Sequence, residues 1–277
     1  MVVIKIIPRP NGYNAGISNT LKGFITALSI HNKTTIECDD DYELGNFDTI
    51  LHEKYIFKPT NEQTEDFYSW RWLILKKEET LQQNIPDSFF DGKVNLNQNK
   101  YKHLFTGKVT IDGNFDKSLI HPVVYHRIMK ALCSIVFKPI IYKNINKYDI
   151  SFQSSLGISV RTWTASHEKN VNRKYKFEEY KKAIEDALSP TIKTIVLSID
   201  NKSPKIEKSY VKLIESISSA HIIIFREEDV NHLQYSIIKL LLLSKCGILI
   251  GNKLSTFTEL SFWFSGCNQK VIPVGKK

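Results

Sequence analysis

Ile195-Val196-Leu197-Ser198-Ile199, the helical period from Ile206 to Ile217, and His221-Ile222-Ile223-Ile224-Phe225 together form the stretch that decides the fold. Its outer members are β-branched runs of strand length, and the segment between them has the length and spacing of a helix. The same alternation continues on both sides. Upstream, Ile158-Ser159-Val160 reads as a short strand and Phe177 to Leu188 as a helix with Phe177, Tyr180, Ile184 and Leu188 on one face. Downstream come a strongly apolar helix around Ile237 to Leu243, a strand Ile248-Leu249-Ile250, a helix from Glu259 to Phe264 and a last strand at Val271-Ile272. Parallel strands need crossover helices to bring the chain back, so this alternation predicts an α/β fold with a doubly wound parallel sheet. Ligands of such sheets sit beyond the carboxyl ends of the strands, which selects the loops after Val160, Ile199, Phe225 and Ile250.

The N-terminal part opens in the same way. A strand from Val2 to Ile7 leads through a loop holding Gly12 and Gly16 into a helix with Leu21, Phe24, Ile25 and Leu28 at helical spacing, and a strand from Thr34 to Glu37 follows. Between Asp39 and Lys117 the pattern dissolves into acidic, Asn-rich and aromatic stretches, from which only a helix around Phe67 to Lys76 is predicted. Pro122 begins a helix carrying Val124, Ile128, Leu132 and Ile135, which runs to Phe137 and stops at Lys138-Pro139. Lys143 to Lys147 reads as a linker. The expected organisation is therefore two domains, 1–148 and 149–277.

Composition agrees with a folded chain of that size. The 277 residues are 42% hydrophobic and include 4 Trp, 12 Tyr and 15 Phe with 12 Gly and 9 Pro, which excludes disordered and collagenous chains. Apolar runs such as Ile237 to Leu243 are interrupted by Lys239 and fall far short of the roughly 20 residues that cross a bilayer. Met1 to Ile7 shows no basic leader and is read as the first strand of a cytoplasmic protein. The four cysteines, Cys38, Cys133, Cys246 and Cys267, lie far apart without CxxC spacing, so neither a zinc site nor a disulfide framework is expected. The formal charge is +9, but the lysines are interleaved with Asp and Glu, as on a solvated basic surface. No nucleic-acid partner is expected.

Three segments carry chemistry. Gly16-Ile17-Ser18-Asn19-Thr20-Leu21 lies between a strand and a helix, where backbone N–H groups can bind an anion or where Ser and Asn simply cap the helix. In Ser159-Val160-Arg161-Thr162-Trp163 an arginine leaves a strand at the ligand edge; a guanidinium there suits a pyrophosphate, or pairs with a neighbouring carboxylate. His167-Glu168 follow it, either as an acid/base pair or as solvated loop residues. In Ile250-Gly251-Asn252-Lys253-Leu254-Ser255-Thr256-Phe257-Thr258 a strand ends in Gly and hydroxyls lead into a helix, a phosphate cradle or an ordinary helix cap. Asp39-Asp40-Asp41 superficially resembles a metal-diphosphate motif but reads as a solvated acidic turn.

In order and spacing these segments resemble the GDP-fucose-using fucosyltransferases, a superfamily with a GT-B arrangement of two Rossmann-like domains and a cleft between them. Gly16 to Leu21 is similar to the family's Gly-x-Gly-Asn-Gln-Leu turn, with Ser18 and Thr20 replacing the second Gly and the Gln. Leu156-Gly157-Ile158-Ser159-Val160-Arg161-Thr162 is similar to its His-x-Arg motif, with Ser159 in place of the His and Thr162 where a second Arg is common. Ser198-Ile199-Asp200-Asn201 resembles the segment usually written Thr-Asp, and Leu243-Ser244-Lys245-Cys246 through Ser255-Thr256-Phe257-Thr258 resembles the last motif. Near Ser236 the family often carries an Asp.

The resemblance implies an N-terminal acceptor-side domain and a C-terminal donor domain. Arg161 is expected on the donor's β-phosphate, Ser255, Thr256, Phe257 and Thr258 around the nucleotide with Asp200, and Gly16 and Asn19 reaching it from the other domain. The implied activity is inverting transfer of fucose, or another GDP-linked sugar, from a GDP-sugar to a hydroxyl of a glycan or glycoconjugate, with no cofactor and no metal. Arg161 would stabilise the leaving diphosphate and His167 or Glu168 would serve as base. A glycosyltransferase-like protein that binds nucleotide or glycan without catalysis is one alternative, and an unrelated Rossmann-type binding module for a different phosphorylated ligand is the other. Peripheral contact with a membrane is compatible with any of these.

Overall fold

The computed structural model describes residues 2–6, 18, 21, 25, 28, 34–38, 49–51, 115–120, 122–162, 177–200, 204–226, 229–253 and 255–275. The chain divides into two units, one formed by Met1–Ile111, Asp116–Lys143 and Asp229–Ile237, the other by Asp112–Phe115, Asn144–Glu228 and Ile238–Lys277.

In the first unit, β1 (Val2–Ile6) and β2 (Thr34–Cys38) pair in parallel, with Val2 opposite Thr34 and Ile6 opposite Cys38. Ser18, Leu21, Ile25 and Leu28 are helical and buried, as the three- and four-residue spacing predicts. The expected helix at Phe67 to Lys76 and the acidic turn Asp39-Asp40-Asp41 lie outside the described residues.

One expectation for this unit is corrected. The helix starting at Pro122 ends at Ser134 (α1, Pro122–Ser134), and Pro139 opens a second helix (α2, Pro139–Ile145) where a stop and a linker were expected. Pro has no N–H to lose at a first helical position and its fixed φ already suits a helix, so Lys138-Pro139 is a restart. Ile141 and Ile145 bury the inner face of α2, and the break is pinned by Lys138, whose N–H donates to the Ile50 carbonyl at 2.8 Å.

The second unit is a five-stranded, all-parallel sheet. Its strands are β3 (Ser155–Val160), β4 (Thr194–Ile199), β5 (His221–Ile223), β6 (Ile248–Asn252) and β7 (Lys270–Val274), in the spatial order β5-β4-β3-β6-β7. The connecting helices are α3 (Phe177–Ala187), α4 (Pro204–Ile217), α5 (His232–Ser244) and α6 (Thr256–Phe264). All six residues of β3 are buried, as befits a central parallel strand covered on both faces. Leu156, Ile158 and Val160 point to one face, into a core with Tyr180 and Ile184 of α3 and Tyr210 and Ile214 of α4. Gly157 faces the other way, toward Leu243 and Cys246 at the end of α5. Helices therefore cover both faces, and the predicted doubly wound architecture is present.

That strand order marks one position at the sheet edge as the candidate for a ligand. From β3 the chain steps outward to β4 and β5, then returns through α5 to the opposite side of β3 and continues through β6 to β7. The direction of winding reverses between β3 and β6. A crevice at such a reversal, beyond the carboxyl ends of the two strands, is the binding position of open α/β sheets.

Candidate functional site

The two segments singled out in the C-terminal half flank this reversal. Arg161 and Thr162 leave β3 directly after Val160, and Ser255 follows β6 after a short turn whose Lys253 N–H donates to Val274 at 3.0 Å. Arg161 is half-buried. Its backbone setting comes from Asp200, the first residue after β4. The Asp200 N–H donates to the Val160 carbonyl at 3.1 Å, and Asp200 Oδ1 accepts from the Thr162 N–H at 2.8 Å and from the Thr162 hydroxyl at 2.7 Å. Desolvation raises the Asp200 carboxyl above its ordinary value, against the two Thr162 hydrogen bonds and the charges of Arg161 and Lys239.

Across the reversal, Ser255 is the N-cap of α6. Its hydroxyl accepts from the N–H groups of Phe257 at 3.2 Å and Thr258 at 3.5 Å, so the helix-cap reading of Ser255 holds in this structure. Glu259, buried in the first turn, places a carboxyl group at the same end of the helix. Thr256 and Phe257 are half-buried beside it. Thr258 is fully buried, and its hydroxyl has no hydrogen-bond partner among the described residues. It lies against Gly251, where a Cβ would come within 2.6 Å of both Thr258 Cγ2 and Oγ1. The glycine that ends β6 thus lets the start of α6 settle onto the strand.

Two cations at this edge were not singled out from the sequence. Lys239, read only as a break in an apolar run, is buried and donates from Nζ to the Ile199 carbonyl at 2.6 Å. The signal was the break itself, since a lysine among six apolar residues needs a buried acceptor. Arg226, just beyond β5, forms a two-pronged pair with Glu207 at 2.7 and 2.6 Å. Ser236, at the position where the resembling family often has Asp, returns its hydroxyl to the His232 carbonyl of its own helix at 3.0 Å. The structure brings Arg161, Thr162, Asp200 and Lys239 to one sheet edge. Gly16, Asn19, His167 and Glu168 lie outside the described residues.

No family model and no curated protein matches this sequence. Solved structures do match it. POFUT1 in its apo form superimposes with a TM-score of 0.50 at 11% identity, over 99% of this chain and 98% of that one. The chain shares its fold with that protein. The fucosyltransferase NodZ from Bradyrhizobium matches at a TM-score of 0.46 and 14% identity over 94% of this chain and 91% of that one. A variant of Arabidopsis thaliana FUT1 in complex with GDP matches at 0.48 and 13% over 98% and 69%. POFUT1 is also known in complex with GDP and with GDP-fucose. No helix among the described residues is long and apolar enough to cross a membrane.

Proposed function

We propose that this protein is a GDP-fucose-dependent glycosyltransferase that transfers fucose, with inversion and without a metal, to a hydroxyl of a glycan or glycoconjugate. The observation that carries the reading is the placement of Arg161 and the N-terminus of α6 on opposite sides of the β3/β6 reversal. A diphosphate lying there meets a permanent cation from one side and a helix N-terminus from the other. Phosphate oxygens compete well for the Phe257 and Thr258 N–H groups, because a charged acceptor outbids a hydroxyl held at 3.2 and 3.5 Å. These are the positions that the fucosyltransferase motifs assign to the nucleotide, in a fold shared with POFUT1.

In this reading the GT-B arrangement pairs a donor-binding domain, 149–277, with an acceptor-side domain, 1–148. Inverting transfer requires a base on the acceptor hydroxyl and stabilisation of charge on the departing GDP. Arg161 and the α6 N-terminus supply the stabilisation without a cofactor, and His167 or Glu168 takes the acceptor proton. Gly16 and Asn19 approach the nucleotide from the acceptor-side domain.

A thermal-shift series with GDP, UDP, CMP, NAD and ATP tests the reading. Stabilisation by GDP above the others, undiminished in EDTA, is expected. Stabilisation by NAD or ATP instead, or a strict need for a divalent ion, overturns it. The non-catalytic alternative is favoured by Ser159, which stands at the motif-histidine position and is buried within β3. GDP binding without turnover of GDP-fucose would decide for that alternative.

A further inference from the structure

Two peptide planes meet at the Cα of Arg161, and one residue holds both. The plane on its N-terminal side carries the Val160 carbonyl, which accepts from the Asp200 N–H at 3.1 Å. The plane on its C-terminal side carries the Thr162 N–H, which donates to Asp200 Oδ1 at 2.8 Å, and the Thr162 hydroxyl donates to the same oxygen at 2.7 Å. With both planes fixed, φ and ψ of Arg161 are fixed, and so is the direction in which its side chain leaves the strand. Asp200 is itself held from below. The peptide group that carries its N–H also carries the Ile199 carbonyl, which accepts from the buried Lys239 Nζ at 2.6 Å.

From this chain of contacts we infer that Asp200 is a positioning residue that sets the direction of Arg161 toward the diphosphate, with Lys239 holding Asp200 in turn. The inference rests on the proposed diphosphate site and gives Asp200 a different task from the direct nucleotide contact that the family resemblance implies. Both hydrogen bonds from Thr162 end on Oδ1, so the carboxylate acts as an acceptor whose value depends on Thr162 being there. A residue that touches the nucleoside directly has no such dependence.

A double-mutant cycle on the full chain tests this, with binding of GDP and of inorganic pyrophosphate measured by calorimetry on Asp200→Ala, Thr162→Val, the double variant and Asp200→Asn. Asp200→Ala is expected to weaken both ligands by roughly tenfold, the size of a lost hydrogen bond to a charged group. Thr162→Val removes the hydroxyl alone and weakens both ligands less. The double variant is expected to bind like Asp200→Ala, because the two residues act as one unit. Asp200→Asn retains an oxygen acceptor for Thr162 and is expected to keep most of the parental affinity. Fold-changes that multiply in the double variant overturn the positioning role, as does pyrophosphate affinity that Asp200→Ala leaves unchanged. If the parent binds GDP but the cycle is additive, only the positioning role falls. If the parent binds neither probe, the diphosphate site and the positioning role fall together.

Discussion

Gly251 and Thr258 are packed so closely that a methyl group on Gly251 would lie 2.6 Å from two side-chain atoms of Thr258 and 3.2 Å from its Cβ. Thr258 is fully buried, so it has no open direction in which to swing. Relief must come from moving α6 off the strand, which displaces the Ser255 cap and the helix N-terminus at the candidate site. Gly251→Ala is expected to cost about 1–3 kcal/mol by urea denaturation, the usual size of overpacking in a closed core. It is also expected to weaken GDP. Unchanged affinity in a folded Gly251→Ala protein would detach the start of α6 from the nucleotide.

Gly247 presents a harder case. A Cβ there would lie 2.1 Å from the backbone oxygen of Phe152, and a carbonyl cannot turn aside as a side chain can. Gly247→Ala is therefore expected to destabilise the protein more than Gly251→Ala does, while leaving the affinity of the remaining folded protein closer to the parent's. A comparison of denaturation midpoints with GDP titrations of the two variants checks both halves of this expectation.

What was legible in the sequence follows from which forces are local. Apolar spacing such as Tyr180 with Ile184, or Ile195, Val196, Leu197 and Ile199 in one short segment, reports burial directly, and these positions lie in the core. The strand-end rule then brought Arg161 and Ser255 into view, since it needs only the alternation of elements. Lys138-Pro139 misled, because proline both ends and begins helices and the deciding partner, the Ile50 carbonyl, is distant in sequence. The strand expected at His221 to Phe225 pairs with β4 only through Ile223, and no periodicity marks where a neighbour's ladder stops. The clamp of Asp200 on Thr162 joins residues 38 positions apart, partly through backbone groups that every residue possesses, so the sequence carried no sign of it.

The Asp200 carboxyl also makes a prediction about pH. Desolvation raises its pKa above the ordinary 3.8, while the Thr162 hydroxyl and N–H, Arg161 and Lys239 oppose the rise. A carboxyl whose pKa is higher in the folded state holds its proton more tightly there, so its contribution to stability is present below 3.8 and is lost as pH rises through the folded value. Much of the residue is open to water, which limits the size of the effect. Urea midpoints of the parent and Asp200→Asn measured through this window are expected to diverge, with the parent losing ground to the variant as pH rises. Divergence in the opposite direction would mean that the neighbouring cations outweigh desolvation.

Cys133 is exposed on α1, whereas Cys246 and Cys267 are buried. Burial pushes the Cys246 thiol up to about 12, despite an opposing hydrogen bond with the Ser155 side chain. At pH 8 it has almost no thiolate to react. Brief treatment of the native protein with iodoacetamide, followed by peptide mass spectrometry, is expected to show Cys133 alkylated and Cys246 and Cys267 protected. Alkylation of Cys246 at a rate like that of Cys133 would mean that the end of α5 opens readily.

Lys239 offers a separate measure of how far the sheet edge depends on one buried charge. It is a buried residue of the apolar α5, and its ammonium reaches the Ile199 carbonyl at 2.6 Å. Met has similar length and bulk but no donor, so Lys239→Met preserves packing and leaves that carbonyl without its lysine partner. An unsatisfied buried acceptor costs about 1–3 kcal/mol, partly offset here because the lysine no longer has to be desolvated. The loss of stability is therefore expected toward the lower end of that range. The effect on GDP separates two roles for the residue. If Lys239 serves only to fill and satisfy the core, the folded Lys239→Met protein binds GDP like the parent. If it holds the peptide group from which Asp200 clamps Arg161, affinity falls with it, and adding Asp200→Ala to Lys239→Met weakens binding little further.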